Sequence, residues 1–187
     1  MGRLPRLQLP DGIYHVTSRG IQKLPIFRDD DDRESFLEIL GVVVAKYAWT
    51  CLEYCEMTNH FHLLVQTPDA NIAAGMRLLN GLYARTFNAK YGLRGHLFES
   101  RYGSELVETV EQLIAAVLYI AYNPVVAGLS EDPADWLWSS VAASLGLRPA
   151  PEFLHTGALL DLLGMERPAQ LAELIYADYR LLSATAV

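Results

Sequence analysis

Trp49-Thr50-Cys51-Leu52-Glu53-Tyr54-Cys55-Glu56-Met57-Thr58-Asn59-His60-Phe61-His62-Leu63-Leu64-Val65-Gln66-Thr67 decides the fold. Two apolar, aromatic and β-branched runs, Trp49 to Met57 and Phe61 to Thr67, are parted by a short polar link at Thr58-Asn59. So short a link joins neighbouring antiparallel strands. On both sides of this hairpin the spacing turns helical. Upstream, the acidic run Asp29 to Asp32 suits the positive end of a helix dipole, and Asp31 or Asp32 is expected to cap a helix running to about Tyr47. Downstream, Met76, Leu79, Tyr83 and Phe87 keep helical spacing within Ile72 to Tyr91, which Gly92 closes. Further out, Ile13 to Ser18 follows the turn signal Pro10-Asp11-Gly12 and reads as a first strand, while His96 to Val107 reads as extended and broken by Gly103.

The order strand, helix, strand, strand, helix, strand is that of an α+β, ferredoxin-like split βαβ domain, an antiparallel sheet with helices on one face. One more helix follows, from Thr109 as cap to about Asn123, where Pro124 is expected to end it. The main domain is read as residues 1–145. Residues 146–152 read as a linker, and 153–187 as a short helical tail.

Half of the chain is hydrophobic (51%), which excludes disorder over most of its length. No run approaches the roughly 18 uncharged apolar residues of a membrane span. The opening Met-Gly-Arg-Leu-Pro-Arg lacks the apolar stretch of a secretory signal, so the expected compartment is the cytoplasm. Cys51 and Cys55 are the only cysteines. Their even spacing along a strand would put both on one face, as small core residues and not as a disulfide. The net charge of -7 is unlike that of a generic nucleic-acid binder, but it is unevenly spread. Residues 1–28 and 70–104 each carry +4, against -7 over 29–69 and -8 over 105–187. A polyanion would find two positive segments on an otherwise acidic chain.

His60 and His62, at i and i+2 on a strand, project from the same face roughly 6–7 Å apart. Phe61, Leu63 and Val65 then point into the helix-covered core. Two imidazoles on one rigid face can share a metal ion, although isolated surface or core histidines would give the same pattern. On the helix that follows Thr109, a 100° step gathers Val110, Leu113, Ile114, Val117, Ile120 and Ala121 on one face. Gln112, Ala115, Ala116, Tyr119 and Asn123 fall on the other. Tyr119 and Asn123, one turn apart, thus offer a phenol and a carboxamide to one point in space. An exposed tyrosine lying over alanines would satisfy that spacing equally.

Four stretches resemble the single-tyrosine HUH transposases, most closely the REP-associated tyrosine transposases. They are Tyr14-His15-Val16-Thr17-Ser18-Arg19-Gly20, Tyr54 to Val65, Gly95-His96-Leu97-Phe98-Glu99-Ser100-Arg101-Tyr102, and Tyr119-Ile120-Ala121-Tyr122-Asn123-Pro124-Val125-Val126-Ala127-Gly128. Trp136-Leu137-Trp138-Ser139-Ser140 fits the same branch, and the resemblance spans about residues 5–145 in order. It implies a divalent cation, Mg²⁺ or Mn²⁺, held by His60, His62 and Asn123, with Tyr119 as the nucleophile that cuts single-stranded DNA. The products would be a 5′-phosphotyrosine and a free 3′-OH, and a later 3′-OH could reverse the step to join strands. It also implies a hairpin-forming DNA partner, with Arg19, Lys23, Arg77, Arg85 and Arg101 as candidate backbone contacts. The active unit would be a monomer or homodimer.

The chain departs from the family pattern at Glu56 and Thr58, where Cys-Leu-Met-Pro-Asn-His is usual, and at Val126, where arginine is usual. These changes are expected to remove a positive charge near the site and add a negative one. Two other readings of the residues are a non-cutting protein of the same fold that grips single-stranded DNA or RNA, and a metallohydrolase. For the first, the strand would offer only His60, His62 and Leu64 on a free face; for the second, no carboxylate base is evident near the histidines.

Overall fold

The computed structural model describes residues 8–184. Arg3 and Arg6 of the basic opening segment, and residues 185–187 of the tail, lie outside them. Strands β1 (Gly12–Arg19), β2 (Thr50–Glu56), β3 (His60–Thr67) and β4 (Gly103–Val107) form one antiparallel sheet in the order β2-β3-β1-β4. Helices α1 (Asp30–Tyr47) and α2 (Ile72–Tyr91) cover one face. There Phe36, Leu40, Met76, Leu79 and Tyr83 pack on Tyr14, Val16, Phe61, Leu63 and Val65. This is the split βαβ arrangement that the hairpin predicts. Among the described residues, no helix is long and apolar enough to cross a membrane.

Helix α3 (Val110–Val126) lies on the opposite face. It is joined there by α4 (Val141–Ser144), α5 (Thr156–Leu162) and α6 (Pro168–Ala184). Val117, Ile120 and Ala121 of α3, Leu159 of α5, and Leu171 and Ile175 of α6 build a second core with Leu52, Cys55 and Leu64. The tail is therefore a packed layer, and Tyr122 secures it by donating its hydroxyl to the Ile175 carbonyl. Because α3 is buried on two sides, its apolar face is turned from the expected one: Ala116 and Tyr122 are buried, while Val110 at the helix start is half exposed. Pro124 does not end α3. It sits buried in the last turn, where packing offsets the one hydrogen bond that proline cannot make. The helix stops instead at Gly128, whose φ of 69° suits a residue without Cβ.

Three local expectations are corrected. The cap of α1 is Asp29, whose carboxylate accepts from the Asp32 amide at 3.0 Å; Asp32 in turn accepts from the Arg28 amide. Only Gly103–Val107 of the extended stretch pairs as a strand; a Cβ at Gly103 would stand 2.9 Å from Thr17 Oγ1, so glycine allows β4 to close on β1. Cys51 and Cys55 lie on opposite faces, because the β2–β3 register shifts between Cys51 and Glu53. That bulge inserts one extra residue and inverts the alternation beyond it.

The outer edge of β2 is paired by Trp136 to Ser140 and by the start of the tail. Glu56 N–H donates to Trp138 O at 2.9 Å, Ser140 N–H to Tyr54 O at 3.0 Å, and His155 N–H to Cys51 O at 2.8 Å. An unpaired edge would invite association with other strands. The same segment encloses Arg33 of α1, whose guanidinium lies 5.1–5.5 Å from the rings of Phe27, Trp136 and Trp138. It donates to the carbonyls of Glu56 and Met57 at 3.2 and 3.3 Å and approaches the Glu56 carboxylate at 3.7 Å. Burial pushes the Glu56 carboxyl well above the usual carboxylate range, and Arg33 opposes it.

Arg33→Met should therefore cost about 3–5 kcal/mol in urea unfolding, as expected when one partner of a buried ion pair is removed. Without Arg33 the folded chain holds a proton on Glu56 that the unfolded chain has released. The variant's stability should then fall more steeply than the wild type's as pH rises from about 5 to 7.5.

Candidate active site

Strand alternation places Phe61 and Leu63 under α1 and α2, so His62 and Leu64 face α3. That face is not free, as it would be in a bare binding sheet: Leu64 is fully buried in the second core. Along Gln112, Ala115, Ala116 and Tyr119, α3 leaves room beside the sheet. An open cleft of about 810 Å³ lies there, lined by His15 of β1, His60 and His62 of β3, and Tyr119 of α3.

The rings of His60 and His62 are 4.9 Å apart and nearly perpendicular. Tyr119 is 56% exposed, with its ring edge-on at 5.3 Å from His62 and 5.6 Å from His15. One turn further, Asn123 donates its Nδ2 to the Tyr119 carbonyl at 3.1 Å, which leaves its Oδ1 for other partners. The side chain acts on both imidazoles by favouring their protonated forms, as an acceptor oxygen facing them would. Tyr119, His60, His62 and Asn123 thus come together within one chain.

Asn59 fixes His60. Its Nδ2 donates to the Lys23 carbonyl at 2.9 Å, so its Oδ1 is the atom 2.7 Å from His60 Nδ1. His60 Nδ1 must then carry the proton, leaving the Nε2 lone pair free. Burial, helped by the Arg19 charge, pulls the His60 imidazole down to about 4. Burial and then the neighbouring His60 and His15 rings pull His62 down to about 2. Both rings are neutral at neutral pH, as ligands must be. His62 Nε2 is buried and makes no hydrogen bond.

Two neutral imidazole nitrogens and a carboxamide oxygen fit a divalent cation. Among the described residues no cluster of three or more His, Cys, Asp or Glu side chains could hold a metal, so the amide would be the third protein ligand.

Of the candidate DNA contacts, Arg19 and Arg101 line the cleft. Arg77 lines an adjoining groove of about 1040 Å³ along α2, which Arg101 also borders. Lys23 and Arg85 line neither. Lys90 of the positive 70–104 segment is taken up by Asp29, Asp31 and Asp32 at 2.6–3.6 Å.

Two expectations about charge are overturned. Glu56 adds no negative charge to the site, since it points to the α1 face and meets Arg33. Carboxylates do stand near the histidines, because Glu99 and Glu105 line the cleft. Two residues went unrecognised in the sequence, Asn59 and His15. His15 Nε2 lies 3.0 Å from His62 Nδ1, and the rings stack at 5.2 Å. The available signal was its place on the same strand face as Thr17, the register partner of His62.

Residues 9–123 match the family model described as Transposase IS200 like, a stretch that takes in all four strands, both β3 histidines, Tyr119 and Asn123. A curated REP-associated tyrosine transposase of Haemophilus influenzae is 27% identical over 155 residues, covering 73% of this chain and 88% of that protein. The fold is shared with a solved REP-associated tyrosine transposase bound to a REP hairpin, with a TM-score of 0.67. The alignment covers 83% of this chain and 94% of that one at 16% identity. With more than half of its length matched in this way, the chain belongs to the IS200-like transposase family.

Proposed function

We propose that the protein cuts and rejoins single-stranded DNA beside a hairpin, through a 5′-phosphotyrosine on Tyr119 and with a divalent cation, Mg²⁺ or Mn²⁺, on His60, His62 and Asn123. The observation that carries this reading is the approach of an exposed phenol to a buried imidazole whose Nε2 makes no direct hydrogen bond. Membership of a transposase family and the hairpin in the solved relative point to the same substrate.

The chemistry asked of the chain is in-line displacement at a phosphodiester. When bound, the cation supplies charge neutralisation at a non-bridging oxygen. Arg19 and Arg101, on the cleft wall, hold the strand through its phosphates. The backbone of α3 is anchored in the second core, so Tyr119 meets the phosphorus from a fixed direction. Its oxygen forms the new P–O bond as the P–O3′ bond breaks; the phenolic proton is released and the departing 3′-oxygen takes one up. The phosphotyrosine retains the energy of the original ester, so attack by a second 3′-OH restores a DNA strand without ATP. All of these groups belong to one copy of the chain.

The test is to incubate the protein with labelled hairpin-bearing single strands and Mn²⁺ and resolve the products on a denaturing gel. A covalent protein–DNA band that is absent when a chelator is added is the expected result. Hairpin binding with no adduct would make this a binding protein, and cut DNA with no adduct would make it a hydrolase.

A further inference from the structure

We infer that His15 is a positioning residue that presets His62 for the cation by holding its ring in the Nδ1–H tautomer; this rests on the cation reading above. A hydrogen bond between two ring nitrogens needs one donor and one acceptor. His15 Nε2 and His62 Nδ1 are 3.0 Å apart, so one of them carries the proton. If His15 were the donor, the neutral His62 ring would carry its proton on Nε2. That atom makes no direct hydrogen bond in the structure, and a proton on it would take up the lone pair that the cation needs.

With His62 as donor, the lone pair on Nε2 is left for the cation. His15, accepting on Nε2, then keeps its own proton on Nδ1. Glu105 is the direct partner of His15 across the β1–β4 pair. His15 thus does for His62 what Asn59 does for His60. Metal-bound histidines ordinarily give their second N–H to a carboxylate, a carbonyl or water. Here an imidazole takes that place.

The tautomer can be read directly. Long-range ¹H–¹⁵N spectra of the metal-free, ¹⁵N-histidine-labelled protein should show His62 protonated on Nδ1. His15→Phe keeps a ring beside Tyr119 but has no acceptor. It should give His62 a mixture of tautomers and weaken Mn²⁺ binding, followed by electron paramagnetic resonance, by about 10–100-fold. His15→Gln, whose amide oxygen can accept, should restore most of that affinity. A wild-type spectrum with the proton on His62 Nε2 would overturn the inference without any variant, as would Mn²⁺ binding by His15→Phe within about twofold of wild type, against the range expected for an outer partner. The spectrum needs neither DNA nor metal. A protein that shows the Nδ1–H form but cuts no DNA would therefore sink the transposition reading and leave this one standing.

Discussion

Tyr119→Phe should reduce formation of the covalent DNA adduct by at least about a thousandfold, the scale of losing a nucleophile outright. The substitution removes one oxygen and keeps the ring that meets His15 and His62 edge-on. The side chain is more than half exposed, so unfolding free energy should stay within about 0.5 kcal/mol of wild type. Hairpin binding in a gel-shift assay should be retained, because the cleft arginines are untouched. The informative control is Tyr122, closer to Pro124 in the sequence. Its ring is buried and its hydroxyl is spent on the Ile175 carbonyl, where α6 meets α3. Tyr122→Phe should keep adduct formation and lose about 1 kcal/mol of stability. An adduct that persists in Tyr119→Phe, or vanishes only in Tyr122→Phe, would move the nucleophile elsewhere.

The same two tyrosines show why part of the site was legible in the sequence. A helical wheel separates Tyr119 from the apolar face because 3.6-residue periodicity is a local property of α3. The burial of Tyr122 depends on α6, more than fifty residues away, and no local pattern reports it. The hairpin of β2 and β3 was equally legible, since each strand carries its own apolar run and the link is short. The bulge after Cys51 was not, for a single extra residue leaves no compositional mark, yet it sends Cys55 to the opposite face. The fate of Glu56 followed from where α1 lays Arg33, again a non-local fact. His60 and His62 could be paired by alternation alone. Their supports could not be ranked so easily: Asn59 acts through a fork between Lys23 and His60, and His15 acts across the β1–β3 register.

That difference in support leads to a second large effect. His60→Ala should lower adduct formation at about millimolar Mn²⁺ by at least a hundredfold, because losing a ligand must cost at least as much as losing one of its outer partners. The protein should remain folded. His60 is only partly buried, and its Nδ1 partner, the Asn59 amide oxygen, can turn to water when the ring is gone. A circular dichroism melt should therefore show a midpoint within a few degrees of wild type, the shift expected for about 1 kcal/mol or less.

His62→Ala should lose activity by the same route and stability as well. Its ring is 3% exposed and stacked on His15, so deletion leaves a buried gap and strips His15 Nε2 of its partner. If affinity for the cation is what His60 supplies, raising Mn²⁺ well above the wild-type requirement should recover part of the adduct in His60→Ala. No such recovery is possible in Tyr119→Phe, where the attacking oxygen itself is missing. Equal cutting by His60→Ala and wild type would remove His60 from the chemistry. Collapse of the fold in His60→Ala would make it a structural residue.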